Sequence, residues 1–358
     1  MSYATEIYKL FTEHEPLSLI GKLKTKFKYY EIDGLFVITT VTNNVEPNSY
    51  VASPYTLIIS FGEDELVKIE SKIQRVFFYG LIKSFASFFK FCKIDKAQIL
   101  NNYLLSTNFF SKKWESLDVK KLEQEALKRV PDHTLIIRSV NKLQNLKLYN
   151  NLKSNGWIPI TSRQVYIFDD KERWEKSHNA KIDRKFLDSK RYTFYRVNKK
   201  ENFEEAERLY NLLYLEKYSQ HNIHFKAKYL QLLVERGLLD LYLLHDEVEQ
   251  KSVGVVGMTL ESGVMTVPIV GYNTNYPQKE ALYRRLIAFA LESAFKKGVL
   301  LNLSSGAPEF KKLRGARAEL EYMMVKIEHL PLRQRLGWRL IAMLSKSFYA
   351  PLLKRLQL

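Results

Sequence analysis

The stretch from Val253 to Ala316 constrains the fold of this chain more than any other part of the sequence. It opens with two runs rich in β-branched residues, 253–260 and 264–270, which are separated by Glu261-Ser262-Gly263. A short connection that contains glycine between two such runs predicts a β-hairpin.

A helix and a further strand are predicted directly after the hairpin. Pro277 suits the first turn of a helix, apolar residues recur at helical spacing, and Gly298 stands where a left-handed cap would end it. The apolar run 299–303 then re-enters the sheet, and a strand-helix-strand unit of this length favours a parallel crossover. The polar residues Ser304 to Gly306 therefore fall at the carboxyl end of a strand, where open α/β sheets bind ligands.

Length and composition indicate a globular protein with an anionic partner. A chain of 358 residues that is 46% hydrophobic can bury a large core in about two domains. Its formal charge of +17 favours a nucleotide cofactor, a nucleic acid or an acidic membrane, although a lysine-rich surface alone gives the same number. The single cysteine, Cys92, excludes an internal disulfide, so a cytoplasmic location is expected, with possible contact at the inner face of the membrane.

The order of predicted elements divides the chain into two α/β domains. Residues 1–170 and 192–330 each alternate strands and helices, and the similar order predicts two copies of one fold with a mixed central sheet. Between them, residues 171–191 are strongly charged and predict a connector. Within the first domain, 55–61 is predicted as a strand and 64–91 as a long helix, either buried or lying on a membrane surface.

The segment 331–358 is predicted to form a basic amphipathic tail. It has no acidic residue, and apolar side chains alternate with its cations. The cations are Arg333, Arg335, Arg339, Lys346, Lys354 and Arg355. Two interpretations stay open: a helix pair that covers the sheet of the second domain, or attachment to anionic lipid.

The common catalytic and nucleotide-binding motifs are missing from the sequence. We find no P-loop, no glycine-rich dinucleotide fingerprint, no HExxH and no nucleophile elbow, and the scattered histidines predict no metal site. Lys311, Lys312, Arg314 and Arg317 follow the polar strand end and predict a positive loop, suited to phosphates or to the carbonyl of an acyl donor. A solvated surface loop explains the same charges.

Several short motifs resemble the acyltransferases of the GNAT superfamily, and most closely the double-domain branch that contains the Fem-type aminoacyl transferases. In the second half these are YxxKYSxxN from Tyr214 to Asn222, GYN at 271–273, LYRRL at 282–286 and LSSGAPEFKKLRGA at 303–316. In the first half they are NNYLLSTN at 101–108, PDH at 131–133, Arg138-Ser139 and SRQVY at 162–166. The resemblance implies tandem GNAT-like domains with the site in the second.

The resemblance also implies an N-acyltransferase that moves an acyl group from an activated donor to a small-molecule or lipid-like amine. Acyl-CoA or acetyl-CoA is the expected donor; a carrier-bound acyl group or an aminoacyl-tRNA is the alternative, and a binding protein without chemistry is the competing class. The expected catalytic hydroxyls belong to Tyr272, Ser304 and Ser305. The expected donor-binding residues are Gln278, Lys279, Lys311 and Arg314, and the expected acceptor-side residues are Tyr218, Ser219, Asn222 and Asn273.

One departure from the GNAT pattern bears on the donor. These enzymes hold the donor pyrophosphate with a glycine-rich turn at the start of the central helix, where backbone N–H groups face the anion. The equivalent residues here, Tyr276 to Ala281, contain no glycine, and Pro277 lacks an N–H group. This departure favours the aminoacyl-tRNA or carrier alternative, as does the positive charge.

Overall fold

The computed structural model describes residues 3–43, 47–60, 63 and 72–356, which form two compact units. The first unit comprises Met1–Ser162, His221–Ile223 and Glu321–Leu352, and the second comprises Arg163–Gln220, His224–Leu320 and Leu353–Leu358. These divisions differ from the predicted domain boundaries. Apart from the short pieces 221–223 and 353–358, the chain leaves the first unit within β6 (Ile158–Phe168) and returns to it within β13 (Arg317–Lys326).

The first unit contains a mixed sheet with strand order β2-β3-β4-β5-β13-β6. The strands of this sheet are β2 (Lys26–Ile32), β3 (Leu35–Asn43), β4 (Lys96–Leu100), β5 (Thr134–Asn141), the start of β6 (Ile158–Phe168) and most of β13 (Arg317–Lys326). The unit also contains the short strand β1 (Ile20–Gly21), which lies outside this sheet. Its helices are α1 (Tyr3–Glu13), α2 (Pro16–Leu19), α3 (Lys72–Phe91), α4 (Val119–Arg129), α5 (Lys142–Ser154) and α12 (Leu332–Leu344).

Helices cover both faces of this first sheet. Side chains of successive strand residues point to opposite faces, and β5 follows this rule. Leu135 and Ile137 pack in a cluster with residues of α4 and α5, whereas Ile136 packs in a second cluster with Phe89 of α3 and Trp338 of α12. The two apolar clusters therefore lie on opposite sides of the sheet.

The described part of residues 55–91 is helical, which contradicts one prediction and agrees with part of another. The predicted strand at 55–61 is wrong where it is described, because Thr56–Ser60 forms a π-helix. Buried Asp95 accepts hydrogen bonds from the Tyr55 N–H at 2.7 Å and from the Ser53 hydroxyl at 2.7 Å, and these tertiary contacts override the β-propensity of the segment. Of the predicted helix, 72–91 is helical, and 64–71 lies outside the described residues.

The basic tail packs on the first unit as far as Leu352, so the expected cover of the second domain's sheet is not observed for this part. Trp338 is fully buried, and its indole N–H donates to the Thr134 hydroxyl at 2.8 Å. At Gly337 an added Cβ would lie 2.7 Å from the Cys92 Cβ. Glycine is thus required for the close approach of α12 to the end of α3.

The second unit contains the other mixed sheet, with strand order β6-β12-β11-β10-β9-β7. The further strands of this sheet are β7 (Tyr192–Arg196), β9 (Asp240–Asp246), β10 (Lys251–Glu261), β11 (Val264–Tyr272) and β12 (Leu300–Asn302). The unit also contains the short strand β8 (His224–Phe225), which lies outside this sheet. Its helices include α6 (Lys171–Lys176), α7 (His178–Leu187), α8 (Lys200–Asn211), α9 (Ala227–Glu235), α10 (Leu282–Lys296) and α11 (Pro308–Lys312). The helix α13 (Ala350–Leu356) ends the described chain.

The predicted strand-turn-strand-helix-strand unit is confirmed. Ser262 and Gly263 connect β10 to β11 with φ of 53° and 77°, the left-handed values that a tight hairpin turn requires. β12 pairs parallel to β11, and Gly298 has the expected left-handed φ of 65° after α10. Helix α10, however, begins at Leu282 rather than at Pro277, because Ala281 is left-handed and interrupts it.

The predicted fold class, a mixed α/β architecture, is confirmed. Each unit has one parallel strand pair joined through a helix, β4 with β5 across α4 and β11 with β12 across α10. The pairs β2–β3, β3–β4, β5–β13, β6–β12, β7–β9, β9–β10 and β10–β11 are antiparallel. Among the described residues, no helix combines the length and apolarity needed to cross a membrane.

Candidate functional site

Strands β11 and β12 part after only three paired residues, and the rest of β11 does not pair with β12. The pairing runs from Val264 opposite Leu300 to Thr266 opposite Asn302, yet β11 continues to Tyr272. The Thr266 hydroxyl donates to the Asn302 carbonyl at 2.8 Å at the last paired position.

A bulge in β11 explains why the two strands part there. In the β10 pairing, Gly257 lies opposite Ile269 and Thr259 opposite Thr266, so β11 contains one more residue than β10 in this interval. The interval includes Pro268, which has no N–H group for a strand partner. Because a bulge bends its strand and interrupts pairing, the far end of β11 presents backbone that β12 does not cover.

Glycine at 271 fixes the position of the residue that ends β11. An added Cβ on Gly271 would lie 2.3 Å from the carbonyl oxygen of Leu209 in α8, a distance that two backbones cannot accommodate with a side chain between them. The close contact between α8 and β11 therefore requires this glycine. It also holds Tyr272, the first predicted catalytic residue, beside the residues that follow α8.

Aromatic side chains surround Tyr272. The Tyr272 and Tyr283 ring centroids are 6.4 Å apart, and Tyr283 is 5.0 Å from Phe310 of α11. Burial raises the pKa of the Tyr283 hydroxyl, and the nearby Tyr214, Tyr218 and Tyr272 hydroxyls raise it further. Four tyrosine hydroxyls thus share one small region, which we call the tyrosine cluster (Tyr214, Tyr218, Tyr272 and Tyr283).

The side chain of Lys217 lies beside this cluster. The Lys217 ammonium is exposed and donates to the Tyr272 hydroxyl at 3.4 Å, with its nitrogen 5.8 Å from the Tyr272 ring centroid. Lys217 belongs to the π-helix Leu212–Tyr218, which directly continues α8. π-helical turns are frequent at functional sites, and here the turn carries two of the four clustered tyrosines.

The predicted positive loop is not solvated at Lys311. This side chain is buried, and its Nζ donates to the carbonyl oxygens of Leu303 at 2.8 Å, Ser304 at 3.3 Å and Ser305 at 2.8 Å. Burial lowers the pKa of the Lys311 ammonium to about 7, and Arg163 lowers it further by repulsion. The expectation that Lys311 is an exposed cation is wrong, because its ammonium binds three successive backbone carbonyls after β12.

Arg314 is buried as well, against a buried carboxylate. Its guanidinium forms an ion pair with Asp183 of α7, donates to the Phe310 carbonyl at 2.8 Å, and lies 3.6 Å from the Phe310 ring centroid. Arg284 of α10 also pairs with Asp183, at 2.5 Å. Arg314 therefore joins α11 to α7 and α10, and the expectation that it is a surface loop residue is wrong.

The start of α10 carries the predicted donor-binding residues Gln278 and Lys279, which are exposed on a 3₁₀ turn. The next residue, Glu280, accepts from Arg191 at 3.2 Å and from the Tyr192 hydroxyl at 2.7 Å. Ala281 follows with a left-handed φ of 53° and gives the helix no side-chain cap. A carboxylate thus stands where a pyrophosphate-binding turn would need neutral or positive groups.

An ion pair anchors this turn to the sheet. Arg191 donates to buried Asp246 at 2.8 Å and 3.1 Å, and the Tyr276 hydroxyl donates to the same carboxylate at 3.2 Å. The hydrogen bonds from Arg191 hold the pKa of Asp246 at about 2, below its usual value, against the opposing effect of burial. Asp246 and Glu280 therefore share Arg191 as a common partner.

The remaining predicted residues are spread over several places. Ser219 is buried and its N–H donates to the Tyr214 carbonyl at 3.0 Å, while Asn273 donates to the Val253 carbonyl at 2.9 Å. The backbone carbonyl of Ser304 accepts from the Tyr166 N–H at 3.1 Å. Asn222 belongs to the first unit.

The structure brings together the predicted residues Tyr272 and Tyr218, and beside them lie Lys217, Tyr283 and Phe310, which were not among the predicted site residues. Lys217 belongs to the quoted YxxKYSxxN motif. The quoted motifs also contain the other two residues, LYRRL for Tyr283 and the PEF portion of the loop for Phe310. No pattern, however, distinguished them from core aromatics. Among the described residues, no group of three or more histidine, cysteine or acidic side chains could hold a metal ion.

Solved structures with a similar fold agree with the Fem-type resemblance of the sequence. FemX has a similar solved structure, with a TM-score of 0.55 and 9% identity over 95% of this chain and 97% of that chain. The C-terminal domain of a putative lysylphosphatidylglycerol synthetase from Agrobacterium fabrum gives 0.48 at 11% identity, covering 70% of this chain and 83% of that chain. The structure of L-PGS from Bacillus licheniformis has a TM-score of 0.46 and 14% identity, covering 70% of this chain and 82% of that chain.

Neither of the sequence-level comparisons gives a relative. No protein-family model matches the chain, and no curated protein matches it. The similarity to FemX therefore establishes the fold, and any function has to be inferred from the geometry of the site.

Proposed function

We propose that this chain is an N-acyltransferase whose site is the open end of β11, and that it transfers an aminoacyl group from aminoacyl-tRNA to a small-molecule or lipid-like amine. The observation that carries the proposal is the bulged end of β11, which does not pair with β12, beside the tyrosine cluster. A strand edge without a partner strand binds an extended ligand through main-chain hydrogen bonds. A donor carbonyl held there lies within reach of the Tyr272 hydroxyl.

Tyr272 supplies the proton that the reaction requires. The neutral amine nitrogen attacks the donor ester carbonyl, the bond from this carbon to the ribose oxygen breaks, and the leaving oxygen takes the Tyr272 proton. The attacking nitrogen loses a proton as the amide forms, which restores the phenol. The Lys217 ammonium, 3.4 Å from the phenol oxygen, stabilises the transient phenolate.

The start of α10 favours the aminoacyl-tRNA donor over a CoA thioester. The Glu280 carboxylate beside the helix start repels a pyrophosphate, and the turn has no glycine to bring its N–H groups close. The formal charge of +17 suits an RNA donor. Acyl-CoA is the second candidate, because Ala281 leaves the first turn of α10 without a side-chain cap and its N–H groups can face an anion.

A thermal-shift series separates the two donors. We expect the melting temperature to rise with the concentration of aminoacyl-tRNA beyond the rise given by deacylated tRNA, since a ligand at 100 times its Kd adds about 2.7 kcal/mol. Free CoA, acetyl-CoA and longer acyl-CoAs should give no shift. Deacylated tRNA is the control for adsorption of RNA to a basic protein, and the comparison is repeated at high salt.

The opposite pattern of thermal shifts would contradict aminoacyl-tRNA as the donor. A concentration-dependent shift with acyl-CoA, and equal shifts with charged and deacylated tRNA, would assign the donor to the CoA class. Stabilisation by none of these compounds would favour a binding protein without chemistry.

A further inference from the structure

The exposed face of α12 is apolar where a surface helix is usually polar. Leu332, Leu336 and Met343 recur at helical spacing, and their exposed fractions are 63%, 49% and 53%. The opposite face carries Trp338 and Ile341 into the core of the first unit. The apolar stripe is therefore a second, outward-facing one, which the packing of the fold does not use.

Cations flank this stripe. Arg339 lies one turn from both Leu336 and Met343, Lys346 follows one turn after Met343, and both side chains are exposed. Phe348, in the π-helical turn after α12, is 67% exposed. The sequence from 331 to 358 contributes no carboxylate to oppose these charges.

Helix α3 extends the same surface. The Arg333 guanidinium lies 5.2 Å from the Phe91 ring centroid, and Phe91 is itself exposed, so the end of α3 adjoins the start of α12. Val76 and Tyr79 of α3 are also exposed, and the sequence 72–93 has cations but no acidic residue. One of these cations, Lys83, is paired with Glu63 at 2.8 Å.

We propose that this surface, formed by the outward faces of α3 and α12 and called the basic apolar surface below, binds a bilayer that contains anionic lipid. Apolar side chains at the centre of a cationic face enter the acyl boundary while the cations meet lipid phosphates. A second copy of the chain is disfavoured as the occupant. A two-fold interface would place this positive surface against itself, with like charges opposed.

The proposal is independent of the transfer chemistry, because the surface belongs to the first unit and the tyrosine cluster to the second. It concerns where the protein acts, and it would hold for either donor.

Vesicle co-sedimentation of the full chain tests the proposal. We expect binding to vesicles of phosphatidylcholine with 30% phosphatidylserine at low salt, and at least tenfold weaker binding for the double variant Arg339→Glu/Lys346→Glu. The matched control is Lys120→Glu/Lys128→Glu on exposed positions of α4, which covers the opposite sheet face and changes the net charge equally. The control should keep most of its binding.

A second variant tests the apolar half of the surface. Leu336→Ser/Met343→Ser keeps every charge, and we expect it too to bind at least several-fold more weakly, with an unchanged melting temperature because both side chains are exposed. Equal loss in the α4 control would mean adsorption through net charge and would overturn the proposal. So would the absence of binding, or a dimer of the intact chain that Leu336→Ser/Met343→Ser dissociates in light scattering.

Discussion

At the residue scale, Arg314 and Lys311 show that the exposure of a charged side chain cannot be predicted from the local sequence alone. Both stand in a loop with further cations, and this pattern predicts a solvated or ligand-binding surface. Both are nevertheless buried. Arg314 donates hydrogen bonds to a carboxylate that is distant in sequence, and Lys311 donates to backbone carbonyls. Asp183, the partner of Arg314, lies 131 residues away, so no local pattern could reveal the pair.

Replacement of Arg314 by alanine should destabilise the protein strongly. Removing one partner of a buried ion pair leaves the other charge uncompensated, which costs about 3–5 kcal/mol. The measurement is the free energy of unfolding in urea. Arg317→Ala is the matched control, because Arg317 is exposed and pairs with Asp169 at 3.0 Å, and such a surface pair contributes below about 1 kcal/mol. Equally small effects of both variants would contradict the buried pair.

The Arg191–Asp246 pair predicts a specific dependence of stability on pH. The pKa of Asp246 is about 2 in the folded protein and 3.8 as the ordinary value, so folding favours the ionised form. The resulting stabilisation is complete above pH 3.8 and is lost as the pH falls through about 2.

Asp246→Asn should therefore unfold more easily than the wild type near neutral pH, and the difference should narrow between pH 4 and about 2. Urea unfolding over this pH range measures it, with Asp188→Asn at an exposed position as the control. A difference that stays constant with pH would show that the carboxylate charge is not what stabilises the turn.

At the scale of elements, the sequence predicts most of the fold and part of the site. The β10–β11 hairpin, α10 and β12 follow from β-branched runs, a Ser-Gly turn and helical periodicity, all of which are local signals. The bulge at Pro268 and the parting of β11 from β12 depend on the register with β10, which is a tertiary property. Tyr272 could thus be selected from its motif, but the open strand end beside it could not.

Gly271→Ala tests how α8 is seated on β11. Because the added Cβ would lie 2.3 Å from a backbone oxygen, the helix must move, and we expect a loss of about 3 kcal/mol or more, or insoluble protein. Gly80→Ala is the control: nothing lies within 4 Å of its added Cβ, and alanine favours a helix by about 1 kcal/mol. A stable Gly271→Ala variant with wild-type unfolding would disprove the close contact.

At the scale of the whole molecule, the chain order does not match the compact units. Two α/β layers are evident from the alternation of elements, and both are present. Strand β13, however, pairs with β5 from residue 321 onward, and α12 packs with α3, so residues 321–352 complete the first unit. Pairings between segments so distant in sequence leave no periodic signal, which is why the predicted boundary at 330 differs from the observed division.

The central claim is that the open end of β11 is the site of acyl transfer, and the Tyr272→Phe variant tests it most directly. We would measure transfer from charged tRNA, and from acetyl-CoA, to a panel of primary amines under single-turnover conditions. Loss of a general acid should slow transfer by about 10²-fold or more while leaving the donor-induced thermal shift intact. Tyr195→Phe, at an exposed tyrosine of β7, should transfer at the wild-type rate. Wild-type transfer by Tyr272→Phe would contradict the account.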